Sequence, residues 1–117
     1  MSSKFIPIKT EGMTPEKGGP AADRIMQGTP ESRTWNLYTS ADGKFFSGIW
    51  ESTPGAWRIH YTEDEFCHIL EGVSRITEDG GETITLQKGD AFVIAAGFNG
   101  IWEVVETTRK QYAIYEA

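Results

Sequence analysis

Glu65-Phe66-Cys67-His68-Ile69-Leu70-Glu71-Gly72 is the stretch that decides the fold of this 117-residue chain. A second stretch, Gly89-Asp90-Ala91-Phe92-Val93-Ile94-Ala95-Ala96-Gly97, follows it closely. Both combine a run of apolar residues with a glycine at an end, the pattern of short strands next to tight turns. We therefore expect two strands here, with turns at Gly72 and Gly89.

The chain from Thr34 onward has the same character. Short β-rich runs alternate with turn residues such as Asp42-Gly43 and Asp79-Gly80-Gly81, and no run has the period of an amphipathic helix. This spacing predicts an all-β domain of antiparallel strands, a sandwich or barrel. The predicted strands are Thr34–Thr39, Phe45–Glu51, Ala56–His60, Glu65–Leu70, Ser74–Glu78, Glu82–Leu86, Ala91–Ile94, Ile101–Val105 and Gln111–Tyr115.

Residues 1–33 differ from the rest of the chain. The part from Glu11 to Arg33 carries seven glycines and prolines and has no sustained period. We interpret residues 1–33 as an N-terminal arm and residues 34–117 as the domain. Phe5, Ile6 and Ile8 would form a short strand in the arm and cover a sheet edge, since exposed edges are commonly covered.

Composition excludes several classes of partner. Eleven basic and seventeen acidic residues give a formal charge of −6, which argues against binding to nucleic acid or to an anionic membrane. No apolar run approaches the roughly 20 residues of a membrane span, and the N-terminus lacks the pattern of a signal peptide. One cysteine excludes an intramolecular disulfide. These features predict a cytoplasmic protein.

The two glycine-bounded stretches resemble the two motifs of the cupins, small jelly-roll β-barrels that hold a metal or metabolite inside. The resemblance covers about Trp35 to Glu116 and is closest to the small cupins grouped with ureidoglycine aminohydrolase and the ethanolamine-utilisation cupins. It extends to Gly48-Ile49-Trp50-Glu51, Pro54-Gly55-Ala56-Trp57-Arg58, Trp102-Glu103-Val104 and Arg109-Lys110.

The resemblance also implies a set of metal ligands that this chain only partly retains. Typical cupins use two histidines and a glutamate from the first motif and a third histidine from the second. Glu65 matches the glutamate. His60 matches the second histidine if four residues separate it from the glutamate, and Arg58 then stands in place of the first histidine. Gly100 stands where the third histidine would be.

Strand alternation predicts which side chains face the interior. If Glu65 points inward, Cys67 and Ile69 do too, while Phe66 and His68 point away. On the later strand, Gly100, Trp102 and Val104 would face inward, with Trp102 beside the space left by the absent histidine. Another wall would be formed either by Phe46 and Trp50 or by Phe45 and Ile49. The choice depends on the register of their strand, which the sequence leaves open.

These residues predict a cupin that binds, and in one version transforms, a small polar metabolite. Glu65 would be the central acid/base or hydrogen-bonding group. Cys67 is a second catalytic candidate, although a neighbouring carboxylate disfavours its thiolate. Arg58 and His60 would orient the ligand, and Trp50 and Trp102 would wall the site. A purely structural interpretation is the alternative. In it, Glu65 forms an ion pair with Arg58 or Arg75, and Arg109-Lys110 is a charged pair at a strand edge that aids solubility.

Two alternatives remain open, and neither requires a different fold. In one, His60, Glu65 and Cys67 bind a divalent ion (Mn, Fe, Ni or Zn) for hydrolase, isomerase or oxygenase chemistry. In the other, the protein is a non-catalytic structural or interaction module with a solid interior. No cofactor is assigned, and we expect a homodimer formed through an edge strand or the arm.

Overall fold

A computed structural model of the chain describes residues 4–117. Within this range the chain forms nine strands and one short 3-10 helix, Ala22–Arg24. The strands are β1 (Glu16–Gly18), β2 (Ile25–Gln27), β3 (Ser32–Thr39), β4 (Phe45–Ser52), β5 (Gly55–His60), β6 (Asp64–Glu78), β7 (Thr83–Gln87), β8 (Ala91–Ile94) and β9 (Asn99–Tyr115). The predicted all-β class is confirmed. Among residues 4–117 there is no helix with the length and apolar character needed to cross a membrane.

The strands form one curled antiparallel sheet, a jelly-roll barrel. Its main path has the order β1-β3-β4-β9-β5-β2, and β6 joins it through β9 and carries β7 and β8. β9 is the central strand, because its first half pairs with β5, its second half with β4, and both halves with β6. The two long strands therefore bring all the others around one interior.

The core lies inside this barrel. Alternate side chains of β6 and β9 supply most of it, as strand geometry requires. The fully or nearly fully buried members are Trp57, Cys67, Ile69, Ile76, Leu86, Ile94, Trp102 and Val104. The predicted inward set on each motif, Glu65 with Cys67 and Ile69, and Trp102 with Val104, is buried as expected.

Gly72 does not end a strand, contrary to the sequence prediction. β6 continues through it, so the predicted strands Glu65–Leu70 and Ser74–Glu78 are one element. Gly72 has φ +87°, and a Cβ there would lie 2.0 Å from the carbonyl oxygen of Thr107 on β9. The register between β6 and β9 shifts around this point, so glycine permits a bulge and a bend in a continuous strand.

β9 likewise unites two predicted strands, Ile101–Val105 and Gln111–Tyr115. The intervening residues look like a connection in sequence because they are mostly polar. They pair with β4 and β6 in the structure. This continuity determines the position of Lys110.

The N-terminal arm contributes to the sheet at places other than those predicted. Residues 5–8 form no strand, and Phe5 is 79% exposed. Instead β1 pairs with β3 and β2 with β5, which places them at the two ends of the main path. The Met13 carbonyl accepts a hydrogen bond from the Trp35 indole (3.3 Å) on the outer side of β3.

Gly72 has two reasons to be glycine: its positive φ and its close contact with the backbone of Thr107. Gly72→Ala tests whether the close contact adds to the cost of the positive φ. Gly80→Ala is the matched control, because Gly80 also has positive φ (+80°) but its Cβ would meet nothing within 4 Å. The control should lose about 1–2 kcal/mol of unfolding free energy. Gly72→Ala should lose a further ~1–3 kcal/mol through the clash with Thr107. Urea unfolding measures both, and equal losses would contradict the close-contact argument.

Candidate functional site

A cavity of about 530 Å³ opens into the barrel between β3, β4, β5 and β9. Its volume is in the range of roughly 300–1,000 Å³ usual for small-molecule sites. Aromatic side chains dominate the lining, and a few polar groups converge among them. The lining residues are Thr34, Asn36, Phe46, Trp50, Trp57, Ile59, Tyr61, Glu63, Glu65, Trp102, Lys110, Tyr112 and Ile114.

A larger groove of about 690 Å³ lies along β7 and β8. Its walls are apolar, and the charged side chains among its lining residues are the exposed Glu78 and Glu82. It contains none of the predicted site residues. The smaller cavity is therefore the candidate site, because the chemistry-bearing side chains converge there.

Glu65 lies in the interior with both carboxylate oxygens engaged. Its side chain is about 5% exposed. The Tyr61 hydroxyl donates a hydrogen bond to Oε1 (2.6 Å), and the Lys110 ammonium lies 3.1 Å from Oε2. The expected pairing with an internal arginine is wrong, since Arg58 pairs with Asp79 (2.6 Å) and Arg75 with Glu103 (3.7 Å), all on partly exposed side chains.

Lys110 is the functional candidate that sequence reasoning missed. Its predicted role as a solubilising strand-edge residue is wrong, because its side chain is 6% exposed. Its Nζ lies 4.3 Å from the centre of the Trp102 ring and 4.7 Å from that of Trp50, so two indole faces and a carboxylate surround the ammonium. The alternation of Trp102 and Val104, continued along β9, would have placed Lys110 inside.

Electrostatics keep Lys110 charged. Burial by itself lowers the pKa of Lys110, but interactions with Glu65 and Cys67 together outweigh this effect and the pKa is raised. Burial and the same carboxylate raise the pKa of Tyr61, and they raise the pKa of Tyr112 to about 12. At neutral pH the site therefore holds an ammonium and two neutral phenols.

Cys67 is fully buried beside this pair and is absent from the cavity lining. Burial raises the pKa of the Cys67 thiol to about 12, with Glu65 adding to the rise and Lys110 opposing it. The thiol is therefore neutral at physiological pH. Its predicted catalytic role does not fit this position, because a nucleophilic cysteine needs access and thiolate character.

Arg58 and His60 point away from the cavity, so the predicted ligand-orienting role is not supported for either. Both are exposed, in a shallow depression on the outer side of β5. Arg58 pairs with Asp79, and His60 Nδ1 lies 2.6 Å from Asn99 Oδ1. The inward residues of β5 are their neighbours Trp57 and Ile59, one position out of phase with the prediction.

The two predicted wall residues do meet in the cavity. The rings of Trp50 and Trp102 lie 5.7 Å apart in an edge-on arrangement, and the Trp102 indole donates a hydrogen bond to Ser74 (3.2 Å). Of the two registers left open for β4, the one with Phe46 and Trp50 inside is correct. Elsewhere in the lining, the Tyr112 hydroxyl donates to Asn36 Oδ1 (2.8 Å).

Comparison with known proteins gives the family. A family model described as the EutQ-like cupin domain matches residues 39–112. The chain belongs to the EutQ-like cupin family. The predicted resemblance to small cupins of the ethanolamine-utilisation group is therefore confirmed. No curated protein matches this cupin.

Solved structures agree with the fold. A protein of unknown function of the DUF861 family from Pseudomonas syringae pv. tomato is 25% identical, with a TM-score of 0.79, over 86% of this cupin and 43% of its own chain. This cupin thus spans less than half of that protein. The Clostridium difficile EutQ protein is 22% identical (TM-score 0.67) over 82% of this cupin and 78% of its own chain. A DUF861 protein from Thermotoga maritima is 34% identical over 55% of this cupin and 73% of its own chain, with a TM-score of 0.53.

The donor set of this cupin does not fit the metal that typical cupins hold. With three residues between the second histidine place and Glu65 instead of four, the first and second histidine places of the motif are taken by Ile59 and Tyr61, which line the cavity. A Cβ at Gly100 would lie 2.2 Å from the Thr77 carbonyl oxygen, so this position has room for no side chain. The alternative triad of His60, Glu65 and Cys67 is not assembled. Within residues 4–117 no three His, Cys, Asp or Glu side chains are arranged to hold an ion.

Lys110→Met tests the ion pair. It leaves the Glu65 carboxylate buried without its partner, so we expect a loss of about 3–5 kcal/mol in unfolding free energy. The double variant Glu65→Gln/Lys110→Met should recover part of that loss, because no unpaired charge remains. Lys88→Met, at an exposed position, should change stability by less than about 0.5 kcal/mol. Denaturant unfolding of the four proteins measures this, and a double variant no more stable than Lys110→Met would contradict it.

Cys67 should make stability fall at high pH. Its pKa in the folded protein, about 12, lies above the ordinary thiol value of 9.0. Its contribution is therefore complete below about pH 9 and is lost as the pH rises to about 12, since the unfolded chain releases the proton first. Cys67→Ala should show a shallower decline of unfolding free energy across this window. Parallel curves for wild type and variant from pH 9 to 12 would contradict the assignment.

Proposed function

We propose that this cupin binds a small organic molecule inside the barrel, with Glu65 and Lys110 as the polar centre of the site. The observation that carries the proposal is the placement of this ion pair on the wall of a 530 Å³ cavity lined largely by aromatic side chains. An apolar pocket with a few convergent polar groups is the usual form of a small-molecule site.

Each lining group has a defined part in this proposal. Trp50 and Trp102 hold the ammonium of Lys110 in place and present apolar surface to the ligand. Glu65, oriented by Tyr61 and Lys110, presents a fixed acceptor, and Lys110 a fixed donor. Because both charged groups are immobilised by neighbours, the entropy cost of ordering them on binding is small.

The geometry supports binding more directly than catalysis. Both oxygens of Glu65 are already engaged by donors, and the Cys67 thiol lies outside the cavity lining with a raised pKa. The metal-dependent alternative is disfavoured by the identity of the available donors, since Ile59 and Gly100 offer no ligand atom and Lys110 brings a positive charge to the carboxylate. The solid-interior alternative is disfavoured by the cavity itself.

A ligand screen tests the proposal. Small polyols, sugars, amides, carboxylates and amines would be screened against the protein by saturation-transfer NMR, and affinities measured by tryptophan fluorescence, since three indoles line the cavity. Glu65→Gln should weaken binding of any hit at least about tenfold, the value of roughly 1.4 kcal/mol expected for a charged hydrogen bond. Glu71→Gln is the matched control, because the same chemical change is made on the same strand at an exposed position.

Two results would overturn the proposal. One is a screen in which no compound binds. The other is a hit whose affinity is equal for wild type, Glu65→Gln and Glu71→Gln, which would place binding elsewhere. Near-UV circular dichroism of each variant checks that its aromatic packing is intact.

A further inference from the structure

The charges in the cavity wall limit the charge of the ligand. The residues lining the cavity include two carboxylates, Glu63 and Glu65, and one ammonium, that of Lys110. Glu65 and Lys110 neutralise each other at 3.1 Å, which leaves Glu63 as the excess charge. An anionic ligand would enter against this excess, and no free cation of the described lining would receive it.

A cationic ligand meets the opposite obstacle. The favourable place for a cation in this cavity is the space enclosed by the faces of Trp50 and Trp102 and by Glu65. Lys110 already occupies that space, with its Nζ 4.3 and 4.7 Å from the two rings. A second cation would have to displace a lysine held by a buried ion pair, or accept its repulsion.

The remaining polar groups alternate between donors and acceptors. Lys110 donates, Glu65 accepts, and the hydroxyl oxygens of Tyr61 and Tyr112, which already donate to Glu65 and Asn36, keep free capacity to accept. Hydroxyl groups match such a surface well because each both donates and accepts. The apolar faces of a ring that carries them can pack on the aromatic walls.

We propose that the ligand is a neutral polyhydroxy compound of about monosaccharide size, a sugar or cyclic polyol, selected over charged analogues by the paired Glu65 and Lys110. This inference rests on the proposed function and adds the chemical class of the ligand. In this site the protein's own ammonium takes the place that a bound cation would otherwise fill. Glu65 and Lys110 would then disfavour charged analogues of the ligand and bind the neutral ligand through hydrogen bonds.

A series matched in shape and different in charge tests the inference. Neutral hexoses and pentoses, the corresponding uronic acids and the corresponding amino sugars would be titrated against the wild-type protein by saturation-transfer NMR. The neutral sugar of at least one matched set should bind ten times or more tighter than its anionic and cationic analogues. A charged analogue that binds as tightly as its neutral counterpart, or tighter, overturns the inference.

Changing the pair should change the preference. Glu65→Gln leaves Lys110 unpaired in the cavity, so the uronic acid should gain at least tenfold relative to the neutral sugar. Lys110→Met should favour the amino sugar by a similar factor, and the double variant Glu65→Gln/Lys110→Met should again favour the neutral sugar. Unchanged preferences in folded single variants would overturn the assigned role of the pair, and the wild-type series decides the ligand class where a variant fails to fold.

Failure of this inference is distinguishable from failure of the proposed function. If sugars and polyols do not bind but amides, acids or amines bind in a Glu65-dependent way, the ligand class is wrong and the binding function stands. If no compound of any class binds, both are overturned.

Discussion

The buried ion pair between Glu65 and Lys110 is the interaction on which the site depends. It joins the inner faces of the two longest strands, β6 and β9, close to where β4 and β8 also pair with them. Each charge depends on the other, because a buried charge without its partner costs several kcal/mol. The Tyr61 hydroxyl donates a hydrogen bond to the second oxygen of Glu65, and the faces of two indole rings contact the ammonium of Lys110. Both charged groups are therefore stabilised by further neighbours.

The pair of Glu65 and Lys110 places a lysine ammonium beside the interior glutamate of a cupin barrel. The cupin resemblance implies an interior glutamate in the first motif, and Glu65 is buried at that place. The positive charge beside it belongs to a side chain of β9 and is covalently part of the protein. Such a charge has a fixed position and a fixed donor geometry, which would lower the entropy cost of binding for the ligand proposed above.

The fold and part of the site could be predicted from the sequence, and the failures have identifiable causes. Turn glycines and β-rich runs located the strands from β3 onward but missed β1 and β2. The cupin resemblance supplied the inward direction of Glu65, and alternation from that premise placed Cys67 and Ile69 inside. Gly72 was interpreted as a turn because positive φ is common in turns, whereas here it serves a bulge within β6. β9 was likewise predicted as two strands instead of one. Lys110 fell in the predicted gap between them and was therefore not assigned to the interior. Arg58 and His60 were misplaced by a spacing of one residue, which moves a side chain to the opposite face of a strand.

By itself, the sequence determined the class of fold and the family resemblance, because these follow from local β-strand patterns and from glycine positions, and the resemblance in turn implied the inward direction of Glu65. Only the tertiary structure decided the partner of Glu65, the aromatic enclosure of Lys110 and the existence of a cavity. These depend on register and strand continuity between segments distant in sequence, such as residues 65 and 110, and a local pattern carries no information about which long-range pairs meet. The physical reason is that a strand fixes the alternation of its own side chains, while the opposing strand fixes what each of them touches.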